Sequence, residues 1–356
     1  MKAHFQCFLI GLIVLAFFVL PISLIANNNK SALSDRTQIS VTIGAGNLVG
    51  RVPVDMSYRT SLFETIYLAT EMNAAGTITD IMFYNNFESN LTDKPTQIWL
   101  GETLSENLTN GWIPASQLTQ VFADNVNYPS GINTITIHLT NPYNYRGGNL
   151  VMLVYRPWEE DFYWMNQDLF ACQINGDNRS LVTYNDNTQI NPDNPPTTGV
   201  IGLFPKTTFL INVDGMGSLS GNVSSSGIPL EGARVQIEDS PLYRITGANG
   251  NYSFPYIQPG TYTITASKLG YNPQSHTVTI LAGQSATQNF ALTGIPEVTV
   301  EGRVVGSDAP NVGIANATVS FTGYADYTTV TDAQGYFIFY SVYANQTYDY
   351  TIAAPG

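Results

Sequence analysis

The sequence predicts an all-β protein, a jelly-roll-like β-sandwich followed by smaller sandwich modules. Three observations carry that expectation. Past the N-terminal segment, apolar residues come in short β-branched and aromatic runs with almost no 3.6-residue periodicity, as in Thr134-Ile-Thr-Ile-His-Leu139. Gly, Pro, Asn and Asp separate the runs, as in Tyr128-Pro-Ser-Gly131, Tyr145-Arg-Gly-Gly148 and Asn191-Pro-Asp-Asn-Pro-Pro196. Finally, the last third of the chain contains two copies of one pattern.

The N-terminus reads as an address. Lys2 precedes an apolar run from Phe5 to Ile25, and polar Asn27-Asn-Asn-Lys30 follows. This is the layout of a signal peptide over residues 1–26, with cleavage after Ala26, where the small-residue rule is half met because Leu24 lies two positions earlier. An uncleaved anchor is the competing reading, since the run approaches the ~20 apolar residues that span a bilayer, although Pro21 breaks the helix near its end. In either case the membrane is a partner only through this segment, and the chain is expected to be secreted or displayed at the cell surface.

Residues 38–214 are expected to form one sandwich around one core. Candidate strands include Ile39–Ile43, Thr65–Ala69, Thr77–Tyr84, Thr96–Leu100, Thr134–Leu139, Leu150–Tyr155 and Thr207–Val213. The glycines of Gly44-Ala-Gly-Asn-Leu-Val-Gly50 brush against a dinucleotide fingerprint, but the spacing is wrong and no helix follows, so a loop is expected. A junction at Asp214-Gly-Met-Gly217 leads into a module at 218–293. A second junction at Thr293-Gly-Ile-Pro296 leads into a truncated copy at 297–356, and both linkers are too short to let neighbours wander.

The two copies align in order. Leu219-Ser-Gly-Asn-Val223 matches Val300-Glu-Gly-Arg-Val304, and Gly232-Ala-Arg-Val-Gln-Ile237 matches Asn316-Ala-Thr-Val-Ser-Phe321. Asn249-Gly-Asn-Tyr-Ser-Phe254 matches Gln334-Gly-Tyr-Phe-Ile-Phe339, and Tyr262-Thr-Ile264 is set against Tyr350-Thr-Ile352. Asn249-Gly250 suits a tight hairpin turn, after which Tyr252, Phe254 and Tyr256 are expected to alternate onto one buried face. The second copy lacks counterparts of the runs Thr277–Leu281 and Thr287–Leu292, so its sheets are expected to have unpaired edges. The chain therefore reads as the front part of a longer modular protein.

These motifs resemble the carboxypeptidase regulatory-like family, whose members have a seven-stranded, transthyretin-like β-sandwich. The resemblance rests on the Gly-x-Val opening, Pro229-Leu-Glu-Gly-Ala-Arg-Val235, the Asn249-Gly250 turn, Pro259-Gly-Thr-Tyr262 and Gly270-Tyr271. The second copy departs from it where Ala344-Asn-Gln-Thr-Tyr348 replaces Pro-Gly-Thr-Tyr. The resemblance implies a spacer or accessory module and no particular activity, because it recurs beside peptidases, outer-membrane proteins and adhesins alike. The first region is similar to an N-terminal β-sandwich of large secreted bacterial surface proteins, at Glu64-Thr-Ile-Tyr-Leu-Ala69, Ala75-Gly-Thr-Ile-Thr-Asp-Ile81, Gln97-Ile-Trp-Leu-Gly101 and Gly148-Asn-Leu-Val-Met-Leu-Val-Tyr155. That likeness implies further modules downstream.

Charge and chemistry narrow the function. The formal net charge is −13, one unit more negative once Lys2 is removed, and the sequence has no basic cluster, so nucleic acid is not expected as a partner. Of the two cysteines, Cys7 lies in the signal run, which leaves Cys172 as a buried thiol without a disulfide partner. His138 is expected to face solvent while Ile137 and Leu139 point inward, and His276 lies in another module. Metallopeptidase spacings and the Gly-x-Ser-x-Gly elbow are absent from the sequence, and neither enzyme activity, cofactor nor metal is expected.

The most suggestive patch is Arg156-Pro-Trp-Glu-Glu-Asp-Phe-Tyr-Trp-Met165, directly after an apolar strand. Trp158, Tyr163 and Trp164 offer flat faces to sugar C–H surfaces, and Glu159, Glu160 and Asp161 offer acceptors to hydroxyls. Packing of the same rings at the end of a sandwich is the plainer reading, since all four tryptophans of the chain fall within residues 38–214, and the sugar site is weighed against it. A calcium site using Glu159, Glu160, Asp161, Asp177 or Asp186 lacks the dense Asp-x-Asp ladder such sites use. The expectation is a non-enzymatic adhesion or display scaffold whose partner is an extracellular polysaccharide or another surface protein. The alternative is the accessory, carbohydrate-binding portion of an extracellular peptidase or glycoside hydrolase.

Overall fold

The computed structural model describes residues 37–162, 167–174, 178–196 and 200–354 of the 356-residue chain. Within them, no helix is long and apolar enough to cross a membrane. The signal segment lies outside the described residues.

The first sandwich is built from two antiparallel sheets. One orders Gln38–Ile43, Thr207–Asn212, Gly76–Phe87 and Gly131–Tyr145, with Leu169–Ile174, Leu48–Gly50 and Leu203–Pro205 completing one end. The other orders Val200–Ile201, Ser180–Asn185, Thr60–Tyr67, Asn149–Arg156, Leu91–Thr103 and Thr119–Tyr128. Most successive strands switch sheets, so the core between them is stitched by contacts far apart in sequence. It contains Phe63, Phe83, Ile98, Met152, Phe170 and Phe209.

Two strands of the second sheet, Thr60–Tyr67 and Asn149–Arg156, are buried on both faces. The unbroken run Leu150-Val-Met-Leu-Val-Tyr155 explains this. Leu150, Met152 and Val154 enter the inter-sheet core, while Val151, Leu153 and Tyr155 point outward beneath a cover made from the connectors around Leu108–Leu118 and Ile190. Trp112 donates its indole N–H to the Pro196 carbonyl at 3.0 Å, the Ala115 N–H bonds the Pro192 carbonyl at 3.0 Å, and the Tyr155 hydroxyl donates to the Ile190 carbonyl at 2.8 Å. The expected single core thus has extra apolar layers on its outer side.

Two local expectations change. The apolar stretch Thr65–Ala69 is not one strand: the strand is Thr60–Tyr67, and Ala69–Met72 forms one helical turn. The Glu71 carboxylate accepts the Leu68 N–H at 2.9 Å, and Asn73, with φ of 46°, ends the turn in the left-handed conformation. The glycine segment at 44–50 is a loop only as far as Asn47, because Leu48–Gly50 pairs with Leu169–Ile174.

The second module has a sheet of Ile228–Pro229, Gly217–Ser225 and Asn251–Ile257, closed by Ser285–Thr287 and Phe290–Ala291, which run parallel to Gly217–Ser225. Its facing sheet orders Tyr243–Ile245, Arg234–Ile237, Gly260–Ser267 and Gln274–Ile280. Leu219, Val235, Phe254, Ile264 and Phe290 meet between them. Glycine is required where the link between Ser285–Thr287 and Phe290–Ala291 passes beside Gly217–Ser225, since a Cβ at Gly221 would sit 1.8 Å from the Gln288 carbonyl oxygen.

The third module repeats this construction in its five described strands, with an isolated Val305–Gly313 bridge in the region of Ile228–Pro229. Leu219 faces Phe254 and Gly221 faces Tyr252, as Val300 faces Phe339 and Gly302 faces Phe337, with a register shift at the equivalent place in each pair. Thr246 accepts the Ala233 N–H at 2.9 Å and donates to the Leu230 carbonyl at 2.6 Å. Thr331 does the same with Ala317 at 2.8 Å and Ile314 at 2.7 Å. Each buried hydroxyl thus satisfies one backbone N–H and one backbone carbonyl of the preceding connector, beside the backbone bonds that Thr246 and Thr331 make to the same segments.

One aligned pair shifts by two residues. Ile237 pairs with Ile264, whereas its counterpart Phe321 pairs with Tyr350, so Tyr262 corresponds to Tyr348. Both of these tyrosines donate to a carbonyl just before their strand, Gln258 at 2.9 Å and Tyr343 at 3.1 Å. Among the described residues the third module has no counterpart of Gln274–Ile280, Ser285–Thr287 or Phe290–Ala291. Tyr350 and Ile352 are consequently 70% and 47% exposed, where Ile264 and Ala266 are buried.

The Asn249-Gly250 segment is a tight turn with φ of +72° at Gly250, but it is not a hairpin, because Tyr243–Ile245 and Asn251–Ile257 belong to opposite sheets. Tyr252 and Phe254 enter the core as expected. The register shift then turns Tyr256 out of the alternation, and it packs against the core of the first sandwich.

Candidate functional site

The patch after Asn149–Arg156 is assembled around Arg156, the last residue of that strand, together with Lys94 from Leu91–Thr103 and Arg59 from the connector before Thr60–Tyr67. Arg156 is fully buried, and its guanidinium donates to the Glu159 carboxylate at 2.6 Å, to the Asp161 carbonyl at 3.0 Å and to the Tyr58 carbonyl. Buried Lys94 donates to the other oxygen of Glu159 at 2.9 Å. Glu159 is therefore shared between two cations, with its side chain 18% exposed, and its backbone N–H bonds the Arg59 carbonyl at 3.0 Å. This locks the connector onto the end of the sandwich.

Trp158 and Glu160 lie on the outer side. The Arg59 guanidinium sits 5.3 Å from the Trp158 ring centre and 5.4 Å from that of Phe162, and it pairs with Glu160 at 3.3 Å. The Trp158 indole N–H donates to Glu160 at 3.1 Å. The structure thus brings Trp158, Glu159, Glu160 and Asp161 together, while Tyr163 and Trp164 lie outside the described residues. One face of Trp158 is occupied by Arg59, and of Asp161 the patch uses the backbone carbonyl. Arg59, Lys94 and Phe162 were not singled out from the sequence. Lys94 is 65 residues from Glu159, and no local spacing signals that pairing.

The other chemistry-bearing groups are engaged elsewhere. Cys172 is buried against the Val52 carbonyl, and burial pushes its thiol up to about 12. His138 is 84% exposed, with Ile137 and Leu139 buried behind it, and its ring nitrogen meets the Asp80 carboxylate on the sheet surface. Glu64 is fully buried beneath the cover layer. It accepts the Ile113 N–H at 3.0 Å, and desolvation raises its carboxyl to about 8. Among the described residues, no group of three His, Cys, Asp or Glu side chains is arranged to hold a metal ion.

A second constellation lies where the second module meets the first. Arg244 donates to the Asn73 side-chain oxygen across the junction, and it also donates to the Ser253 carbonyl at 3.1 Å and the Tyr243 carbonyl at 2.7 Å. Its guanidinium covers the Phe254 ring at 4.9 Å, and burial lowers its pKa. Gln258 donates to Asn144 at 2.9 Å, Ala69 of the first sandwich packs in the second module's core, and Met216 and Tyr256 pack on the first.

No curated protein matches the chain. Among solved structures it is similar to the Bacillus anthracis TIE protein, at 13% identity over 79% of this chain and 47% of that one, with a TM-score of 0.23. It is also similar to a streptococcal ancillary pilin, at 10% identity over 73% and 82%, with a TM-score of 0.33. A third likeness is to a DUF3823 family protein from Parabacteroides merdae, at 15% identity over 37% and 83%, with a TM-score of 0.20. The chain spans about half the length of the TIE protein. Residues 218–293 match the sequence profile of the carboxypeptidase regulatory-like domain, and with the two-sheet geometry described above this module is a carboxypeptidase regulatory-like domain.

Proposed function

We propose that this chain is a non-enzymatic, extracellular scaffold for adhesion or display, in which β-sandwich modules are docked into a stiff array. The observation that carries the reading is the junction between the first sandwich and the carboxypeptidase regulatory-like domain. Arg244, Gln258 and Tyr256 reach into the first sandwich, and Ala69 reaches back. A junction with apolar contacts and a desolvated arginine resists bending in a way that a bare linker does not. The engagement of Cys172, His138 and Glu159 in packing and pairing supports a non-catalytic role. The partners proposed are an extracellular polysaccharide or another surface protein, in keeping with the acidic chain.

Small-angle scattering of the full chain tests the stiffness. A single orientation of the first two modules should fit the profile, and a profile that demands an ensemble of orientations would remove the basis of this reading. Beads coated with the full chain and passed over immobilised polysaccharides test adhesion separately.

A further inference from the structure

We propose that the cleft between the first sandwich and the carboxypeptidase regulatory-like domain is a binding site for an uncharged oligosaccharide. The cleft has a volume of about 880 Å³, within the range of small-ligand sites. Tyr143 and Glu102 line it from the first sandwich, and Tyr256 and Tyr262 from the second. The turn Glu238-Asp239, with φ of 57° at Asp239, closes one side, and Arg146 also lines it.

The chemistry of the walls selects the ligand class. All three tyrosines are partly exposed, so each presents ring surface to the cleft. The Tyr262 hydroxyl is used on the Gln258 carbonyl, but among the described residues the hydroxyls of Tyr143 and Tyr256 have no hydrogen-bond partner. The same holds for the side chains of Arg146, Glu238 and Asp239. Gln258 donates to Asn144 across the floor, which leaves the Asn144 amide N–H₂ and the Gln258 carbonyl oxygen available. Glu102 is held in place by the N–H groups of Arg146 at 2.9 Å and Gly148 at 2.7 Å.

The cleft therefore offers ring faces together with both unpaired donors and unpaired acceptors. Sugar hydroxyls act as donor and acceptor at once, and sugar C–H faces pack on aromatic rings. A phosphate or uronate would meet Glu238 and Asp239 on a chain of net charge −13, and a cationic peptide would leave Arg146 and the Asn144 amide unmatched. The geometry also makes the site dependent on the docked junction, since neither module supplies both walls. The inference rests on the extracellular reading only for the choice of polysaccharide as the natural source of such a ligand.

The test is a panel of uncharged gluco-, manno- and galacto-oligosaccharides of two to six units, with oligogalacturonate as the anionic control, applied to the full chain. Binding to at least one uncharged probe, and none to oligogalacturonate, is expected. E238Q and D239N change exposed turn residues and should leave the melting temperature unchanged while weakening binding at least threefold. Y143A should weaken it at least tenfold, with Y143F recovering most of the loss. The proposal is overturned if no uncharged probe binds. It is equally overturned if binding survives all of these variants and is lost in W158A, which would place the sugar site at the Trp158 patch. Scattering separates the two failures: a single orientation of the modules with no uncharged probe bound overturns the site alone, whereas an ensemble of orientations removes the docked array on which the cleft depends.

Discussion

Arg244 of the carboxypeptidase regulatory-like domain donates a hydrogen bond to Asn73, the left-handed residue that ends the helical turn at Ala69–Met72 of the first sandwich. The two residues are 171 positions apart, and among the described residues their contact joins two cores that also meet through apolar side chains and the Gln258–Asn144 bond. Replacing Arg244 with Ala removes a charge-assisted bond and the cover over Phe254, at a cost of about 1.5–3 kcal/mol. Calorimetry of the full chain should then show the transition of the second module separating from that of the first. An unchanged melting profile would mean that the apolar contacts alone couple the modules.

Glu64 predicts an unusual pH dependence. Its carboxyl holds a proton up to about pH 8 in the folded chain, because burial disfavours the anion more than the Ile113 N–H favours it, while the unfolded chain releases that proton near the ordinary glutamate value of 4.5. Between those values the folded state binds more protons, so unfolding free energy from this group falls as pH rises and levels off above about 8. E64Q should remove this slope. Urea titrations at pH 5 and pH 8.5 should show E64Q gaining stability relative to the parent at the higher pH, and equal differences at both would refute the assignment.

The glycines at equivalent places in the two repeats should respond differently. At Gly221 an added methyl meets the Gln288 carbonyl at 1.8 Å and the Tyr252 ring at 2.9 Å, and the backbone of the neighbouring segment, held by parallel pairing on both sides of Gln288, cannot yield. At Gly302 it meets the Phe337 ring at 2.6 Å, and a side chain can move. G221A is expected to destabilise its module by about 3 kcal/mol or more and G302A by about 1 kcal/mol. Separate thermal melts of the two variants in the full chain decide the order.

Much of this architecture was legible because it is written locally. The alternation in Thr134–Leu139, the apolar run Leu150–Tyr155 and the matched turns of the repeats each fix a strand or a reversal with no knowledge of its neighbours. Tyr256 shows the limit. It continues the alternation of Tyr252 and Phe254 in sequence, yet a register shift at Leu219 turns it toward the first sandwich. That outcome is set by the pairing partner and cannot be read from the strand itself. Likewise, the clustering of Trp158 with three carboxylates was visible in sequence, but its electrostatic character was not. Arg59 and Lys94 arrive from a connector and a strand distant in the chain, and they tie Glu159 into the sandwich end while leaving Glu160 paired at the surface.

That network separates two adjacent glutamates, and the difference can be measured. Glu159 binds Arg156, which is fully buried, and Lys94, whose side chain is 8% exposed. Removing the shared carboxylate as E159A leaves both cations with a weaker environment in a poorly solvated site, a loss of about 3–5 kcal/mol. Glu160 pairs with Arg59 at 3.3 Å, but its side chain is 78% exposed, so solvent screens the pair and E160A should cost at most about 1 kcal/mol. Raising the salt concentration should narrow the small E160A difference and leave the large E159A difference nearly intact. Equal effects of the two substitutions in chemical denaturation would show that Glu159 does not organise the patch. A larger effect at Glu160 would place the structural anchor on the Arg59 and Trp158 side instead.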